Sequence, residues 1–201
     1  MAKFDRGGYS QGMTTEPASA VGGMELLARL LNSHPETAFD YLEFRSLLGG
    51  EAAAYAAQRA SEEEILKIRA CLADVEKAHQ LDDPTQEVQA DSLFHLAIYE
   101  AAHNEVITHI MRVVFEMLRY DVFYDRSVLY QRRGVRDSFL RQHQALSAAI
   151  AARDPDAARL AAKEHLASAA EALREYQLAD RRREVSSRRA EGAGLTQAKG
   201  R

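Results

Sequence analysis

The sequence predicts an all-α fold, an antiparallel bundle of six to seven helices, and three observations carry that prediction. Apolar residues recur at three- and four-residue intervals through most of residues 23–180. No segment alternates apolar and polar residues for long enough to suggest a strand, and no Asn-Gly or Asp-Gly pair marks a hairpin. The joints between periodic segments are short, so successive helices must turn back on one another.

Taken in order, residues 1–22 are rich in Gly, Ser and Thr without a sustained period, and read as a linker or arm. A short helix is expected over about 23–32, closed by "NSHPE". The next covers about 37–59 and contains Gly49-Gly50. Each glycine costs a helix interior ~1 kcal/mol relative to alanine. The pair therefore implies a kink, a close helix contact, or room for a ligand against the backbone.

"SEEE" then sets Ser61 and Glu64 three residues apart, a capping box in which each side chain bonds the other's free backbone N–H. That helix runs to about 80. Asp83 as cap and Pro84 in the first turn open the next, where the proline's missing N–H costs nothing. It ends near His103-Asn104. Further helices follow over about 105–126 and 134–152. Asp154-Pro155 repeats the earlier start signal and opens a last helix to about 180. Thirteen alanines between 145 and 172 leave smooth faces for close helix approach. Residues 181–201 read as a basic, disordered tail.

The totals narrow the function classes. With 201 residues, 46% apolar and 28% charged, the chain can build one core plus appendages. No apolar run approaches the ~20 residues of a membrane helix, and the N-terminus has no export signature. The one cysteine, Cys71, excludes an internal disulfide and reads as a buried, inert thiol. A cytoplasmic location is expected. A net charge of −4 and a pI near 6.0 argue against a free-standing nucleic-acid-binding domain. Basic residues do cluster in "ADRRREVSSRR", outside the periodic region. That run is either a solvated end or a phosphate-contacting appendage.

Asp91 and His95 stack on one helical face by their i, i+4 spacing, beside Phe94, Ile98 and Ala102. His143 lies between Leu140, Leu146 and Ile150 at apolar helical positions, and His165 sits among Ala158, Ala161, Ala162 and Ala169. Three helices thus each present a histidine from an apolar stripe, and one adds a carboxylate. Bundle cores build metal sites in this way. Imidazole and carboxylate donors suit zinc first, with nickel, manganese or iron as alternatives. Three unrelated, hydrogen-bonded core histidines fit the same pattern. Arg45 lies beside a buried stripe, between Leu42 and Leu48. A guanidinium there needs an anion. That anion is either a neighbouring acid (Asp40, Glu43 or Glu51) or a small carboxylate ligand.

The segments "YLEFRSLLGGEAAAYAAQRA", "QADSLFHLAIYEAAHNEVI" and "RQHQALSAAIAARDPDAARLAAKEHL" together resemble the effector-binding domain of GntR-family transcription regulators of the FadR type. The resemblance covers about residues 23–180 and is most similar to the lactate- and pyruvate-responsive members. It implies Asp91, His95, His143 and His165 as metal ligands and Arg45 as the residue that meets the effector's carboxylate. It also implies a homodimer and operator DNA as partner, reached through a winged helix-turn-helix that this chain does not contain. Residues 1–22 look like the segment that follows such a domain. One departure is Gly49, where the family commonly has a glutamate.

The expected function is a metal-dependent sensor of small carboxylates, and not an enzyme. A metal-dependent enzyme would need a general base. Only Glu100 and Glu164 lie near the histidines in sequence, and neither shares their face. A structural-zinc scaffold would need a closed site.

Overall fold

The computed structural model describes residues 37–81, 83–119 and 127–198. The expected helix over 23–32, the arm before it, His34 and residues 120–126 lie outside the described residues. Within them there are seven helices and no strand: α1 (Thr37–Arg59), α2 (Glu62–Gln80), α3 (Pro84–Ala101), α4 (Glu105–Arg119), α5 (Ser127–Tyr130), α6 (Arg133–Ala151) and α7 (Pro155–Ala198). The single-turn α5 has no counterpart in the sequence reading, because four residues are too few to show a period. No helix among the described residues is long and apolar enough to cross a membrane.

The start signals act as their chemistry requires. Ser61 Oγ accepts the Glu64 N–H at 3.2 Å, and Glu64 Oε2 accepts the Ser61 N–H at 2.8 Å. Asp83 Oδ1 accepts from the Thr85 and Gln86 N–H groups ahead of Pro84. Asp154 Oδ1 does the same for Asp156 and Ala157. Helices α3 and α6 end alike, on non-glycine residues in the left-handed region, His103 (φ 49) and Arg153 (φ 60). Such a residue costs backbone energy unless its side chain is held. Both are held at the start of α2, His103 against Glu64 at 2.9 Å and Arg153 by the Ala60 carbonyl and Glu62.

Helix α1 packs along α7, α2 along α3, and α6 along α7, while α3 also touches α1, α4 and α5. The glycine pair belongs to the first of these contacts. A Cβ on Gly49 would lie 3.1 Å from Tyr99 Oη and 3.4 Å from Leu166 Cδ1, and one on Gly50 would lie 2.9 Å from Lys163 Cε. Helix α1 runs unbroken through both, and Ala52, Ala53, Ala54, Ala56 and Ala57 after them are all buried. Close approach, rather than a break, explains the pair.

Two apolar clusters make up the core. One gathers Tyr41, Leu42, Tyr99, Met111, Phe115, Phe139, Leu166 and Leu173. The other gathers Ile65, Ile68, Phe94, Ile98, Leu146, Ile150, Ala158 and Ala162. Phe94 of one touches His143, and Phe139 of the other touches His165, with ring centroids 5.1 and 5.2 Å apart. The histidines therefore lie where the two clusters meet.

Two expectations need correction. Cys71 is only half-buried on α2; its partial burial still pushes the thiol above its ordinary range, which keeps it unreactive. The last helix does not stop near 180 but continues to Ala198. Residues 181–189 are exposed there, so no packing supports them. The helix persists because the segment consists largely of good helix formers, contains no proline, and pairs Glu184 with Arg188 at 3.6 Å.

Candidate metal centre

Helix α3 carries a polar stripe down an otherwise apolar face. Glu87, Asp91, His95 and Tyr99 follow at four-residue intervals, and all are buried. Asp91 is 1% exposed and His95 5%. Helix α6 brings His143 to the same place and α7 brings His165, 1% and 2% exposed. All four sequence-predicted donors come together, each offering one ligand atom, and these atoms lie within 4.8 Å of one another. His143 Nε2 is 3.1 Å from Asp91 Oδ1, and His95 Nε2 is 3.4 Å from the same oxygen. His95 Nε2 and His165 Nε2 face each other at 3.3 Å.

Protein groups do not complete this arrangement. His143 Nε2 approaches Asp91 too far off the hydrogen-bond direction to donate, and neither ring nitrogen of His143 has a hydrogen-bond partner. An orphaned buried polar atom is expensive, so a buried imidazole with two of them needs an explanation. His165 Nδ1 lies 3.2 Å from Gln142 Oε1, whose amide nitrogen donates to Ser168 Oγ at 2.7 Å. That chain makes Nδ1 the protonated nitrogen and leaves a lone pair on Nε2, aimed into the cluster.

Burial, followed by the positive charge of Arg45, lowers the pKa of His95 to about 3. Burial and then His143 hold His165 well below the ordinary histidine range. Both rings are neutral at pH 7. Neutral imidazoles whose ring nitrogens converge beside a carboxylate form the donor set a borderline divalent cation takes. The residues fit a metal ion.

Arg45 adjoins this site from α1. It is 3% exposed, and its guanidinium lies over the Phe115 ring at 5.2 Å. Burial pushes the Tyr99 hydroxyl up in pKa, and the positive charge of Arg45 opposes that. Of the acids weighed as its partner, Glu51 binds Arg159, at 2.8 and 3.2 Å, while Asp40 and Glu43 are exposed on the far side of the helix surface. Neither carboxylate considered as a general base reaches the cluster. Glu100 binds Lys67 and Arg112, and Glu164 is exposed.

Sequence reasoning missed a second buried cluster one turn earlier. Glu87 Oε2 accepts from Arg136 Nε at 2.5 Å, and Glu87 Oε1 lies 2.7 Å from His79 Nδ1. Arg136 also donates to the His79 carbonyl at 2.9 Å, and His79 Nε2 is 3.0 Å from Asp137. The available signal was Glu87 at i−4 from Asp91 and Arg136 at i−7 from His143, on the same two faces. Gln142 was also missed, since a residue adjacent to His143 does not share its face; it reaches His165 from another helix. His109 is exposed, near Glu105.

The FCD domain family model matches residues 40–168. An Escherichia coli (strain K12) protein named as an L-lactate dehydrogenase operon regulatory protein is 39% identical over 140 residues, 70% of this chain and 53% of that protein. The Glc operon transcriptional activator of the same strain is 30% identical over 158 residues, 76% of this chain and 61% of its own length. The chain thus spans between about half and three fifths of these curated relatives. Among solved structures, a GntR protein of Streptococcus agalactiae aligns with TM-score 0.55 at 21% identity, covering 71% of this chain and 58% of that one. Lar of Listeria monocytogenes aligns with TM-score 0.61 at 20% identity, covering 70% and 65%. These structures share the fold. The chain belongs to the FCD domain family, the effector-binding domain type of GntR regulators.

Proposed function

We propose that this domain senses a small hydroxy- or keto-carboxylate of the lactate or pyruvate type with the help of a divalent metal ion, zinc before nickel, manganese or iron. In this reading Asp91, His95, His143 and His165 hold the ion, and Arg45 is the counter-charge for the effector's carboxylate. The observation that carries it is the convergence of four buried donors from three helices within 4.8 Å, with neither ring nitrogen of His143 hydrogen-bonded. When bound, the ion supplies a Lewis-acid centre to which a hydroxyl or carbonyl oxygen of the effector can attach.

The chain's own residues do the rest. Gln142 and Ser168 hold the His165 ring in one tautomer and orientation. Phe94 and Phe139 wall the cluster with apolar surface. Arg45 stands on α1, while the donors stand on α3, α6 and α7. An effector bridging the two would favour one arrangement of α1 against the other helices, and differential affinity for two arrangements is all that coupling requires. In this reading the domain, in the cytoplasm and as a homodimer, passes this bias to operator DNA through a separate winged helix-turn-helix; the names of the two Escherichia coli relatives support a role in operon regulation.

Metal analysis of protein purified without chelator should find about one ion per chain. Lactate or pyruvate should then raise the melting temperature of the metal-loaded protein and leave the chelated protein unchanged. Arg45→Ala should keep the metal and lose the carboxylate response. An equal response after chelation, or turnover of the carboxylate, would overturn the reading.

A further inference from the structure

The most basic run in the sequence, in "ADRRREVSSRR", has no part in the sensor, and the structure gives it a definite form. Helix α7 still touches the bundle through Glu175, which pairs with Arg132, and Tyr176, which packs on the core, and it continues as a single helix to Ala198. Residues 181–189 are exposed throughout. They hold Arg181, Arg182, Arg183, Arg188 and Arg189 against one acid, Glu184, in a chain whose net charge is −4. Arg181 and Arg188 are seven residues apart, as are Arg182 and Arg189, so each pair returns to nearly the same helical face. At ~1.5 Å rise per residue the members of each pair stand ~10 Å apart along the axis.

We infer that this projecting arginine helix binds the phosphate backbone of duplex DNA, independently of base sequence. The argument is one of charge and shape. Five guanidiniums on one helix are concentrated rather than dispersed, and among these described residues only Arg188 is paired with an acid of the segment, Glu184 at 3.6 Å. Arginine matches phosphate oxygens through its planar fork of donors. The remainder of the chain carries the negative charge, so this segment is its densest concentration of positive charge. Leu178 and Val185, half-exposed on the same helix, interrupt the charge with only two apolar side chains. A helix built to pack against a second copy would show a continuous apolar stripe instead. This inference is independent of the metal and effector reading.

The test uses the 201-residue chain and a fluorescein-labelled random-sequence duplex of about 20 base pairs, followed by anisotropy at different salt concentrations. Neutralising three or four phosphates predicts a log–log salt slope near −3, or about a sixty-fold loss of affinity between ~50 and ~200 mM salt. The Arg181→Gln, Arg182→Gln, Arg188→Gln, Arg189→Gln quadruple variant should lose at least ten-fold in affinity at the lower salt. The matching arginine-to-lysine variant, which keeps the charge, should stay within about three-fold. The exposed bundle arginines Arg69 and Arg141, changed together to Gln, should have little effect. Circular dichroism checks that the helix persists in each. Absence of salt-dependent binding would overturn the inference, as would a quadruple variant that binds like the parent chain. Equal or tighter binding to phosphatidylglycerol vesicles would assign the helix to a lipid surface. A change of oligomeric state in the quadruple variant would assign it to a contact between copies.

Discussion

Glu87 and Asp91 lie one turn apart on the same face of α3, both almost wholly buried, and their surroundings are opposite in kind. Glu87 meets Arg136 and His79, donors that match its two oxygens, and Arg136 in turn reaches the His79 carbonyl. Charge and hydrogen bonds close within the protein. Asp91 faces three imidazoles, two of them held neutral by burial, and His143 finds no hydrogen bond for either ring nitrogen. In the first cluster donors balance acceptors; in the second, ring nitrogens and a carboxylate crowd together and His143 is left over. Burial of a carboxylate alone therefore says little about function. The balance of donors and acceptors around it separates a closed ion network from a cluster that could hold a cation.

The largest effect expected from breaking this contrast falls on the closed network. Arg136→Ala leaves Glu87 as an uncompensated buried charge and should cost ~3–5 kcal/mol. Urea unfolding should report the same loss with metal and with chelator, and a loss confined to the metal-loaded protein would merge the two clusters into one. Asp91→Asn should behave in the opposite way. In chelated protein it removes a buried carboxylate and should leave stability unchanged or raised. With metal at about a hundred times its dissociation constant, the variant should lack the ~2.7 kcal/mol that binding adds to the parent chain.

Acid sharpens the same comparison in chelated protein. The pKa of His95 is about 3 in the folded chain, against 6.5 for an exposed histidine. Between those values the unfolded chain binds the extra proton. The contribution of His95 is thus fully present above pH 6.5 and lost as pH falls towards 3, at up to ~1.4 kcal/mol per pH unit. His165 shifts in the same direction. Melting temperatures at pH 7.5 and 5.5 check this, and identical values would mean that the two rings titrate normally. The smallest effect is a control remote from both clusters. Ser61→Ala removes one side of the capping box and should cost ~1 kcal/mol, equally with and without metal.

Much of this was legible because helical signals are local. Ser61-Glu64, Asp83-Pro84 and Asp154-Pro155 mark helix starts with atoms only two or three residues away, and the structure places each start where those residues are. Asp91 and His95 were recognisable as a pair since four residues make one turn. The closed network was not. Glu87 and Arg136 are 49 residues apart, and nothing local in "PTQEVQ" or "RGVRDS" reports that the two side chains meet. Gln142 is a similar case, a neighbour of His143 in the chain and a partner of His165 in space.

The sequence by itself determined the long helices, their marked starts, and the placing of Asp91, His95, His143, His165 and Arg45 on or beside apolar stripes. Period and capping depend on neighbours within one or two turns, and those neighbours are written consecutively. Only the tertiary structure decided that the four donors share one point, that His143 is left without a hydrogen bond, and that Glu87 is satisfied while Asp91 faces imidazoles. Those outcomes depend on how α3, α6 and α7 are rotated and set in depth against one another. The bundle fixes that through close approaches such as Gly49 on Leu166 and the alanine faces of α1, which belong to no single stretch of chain.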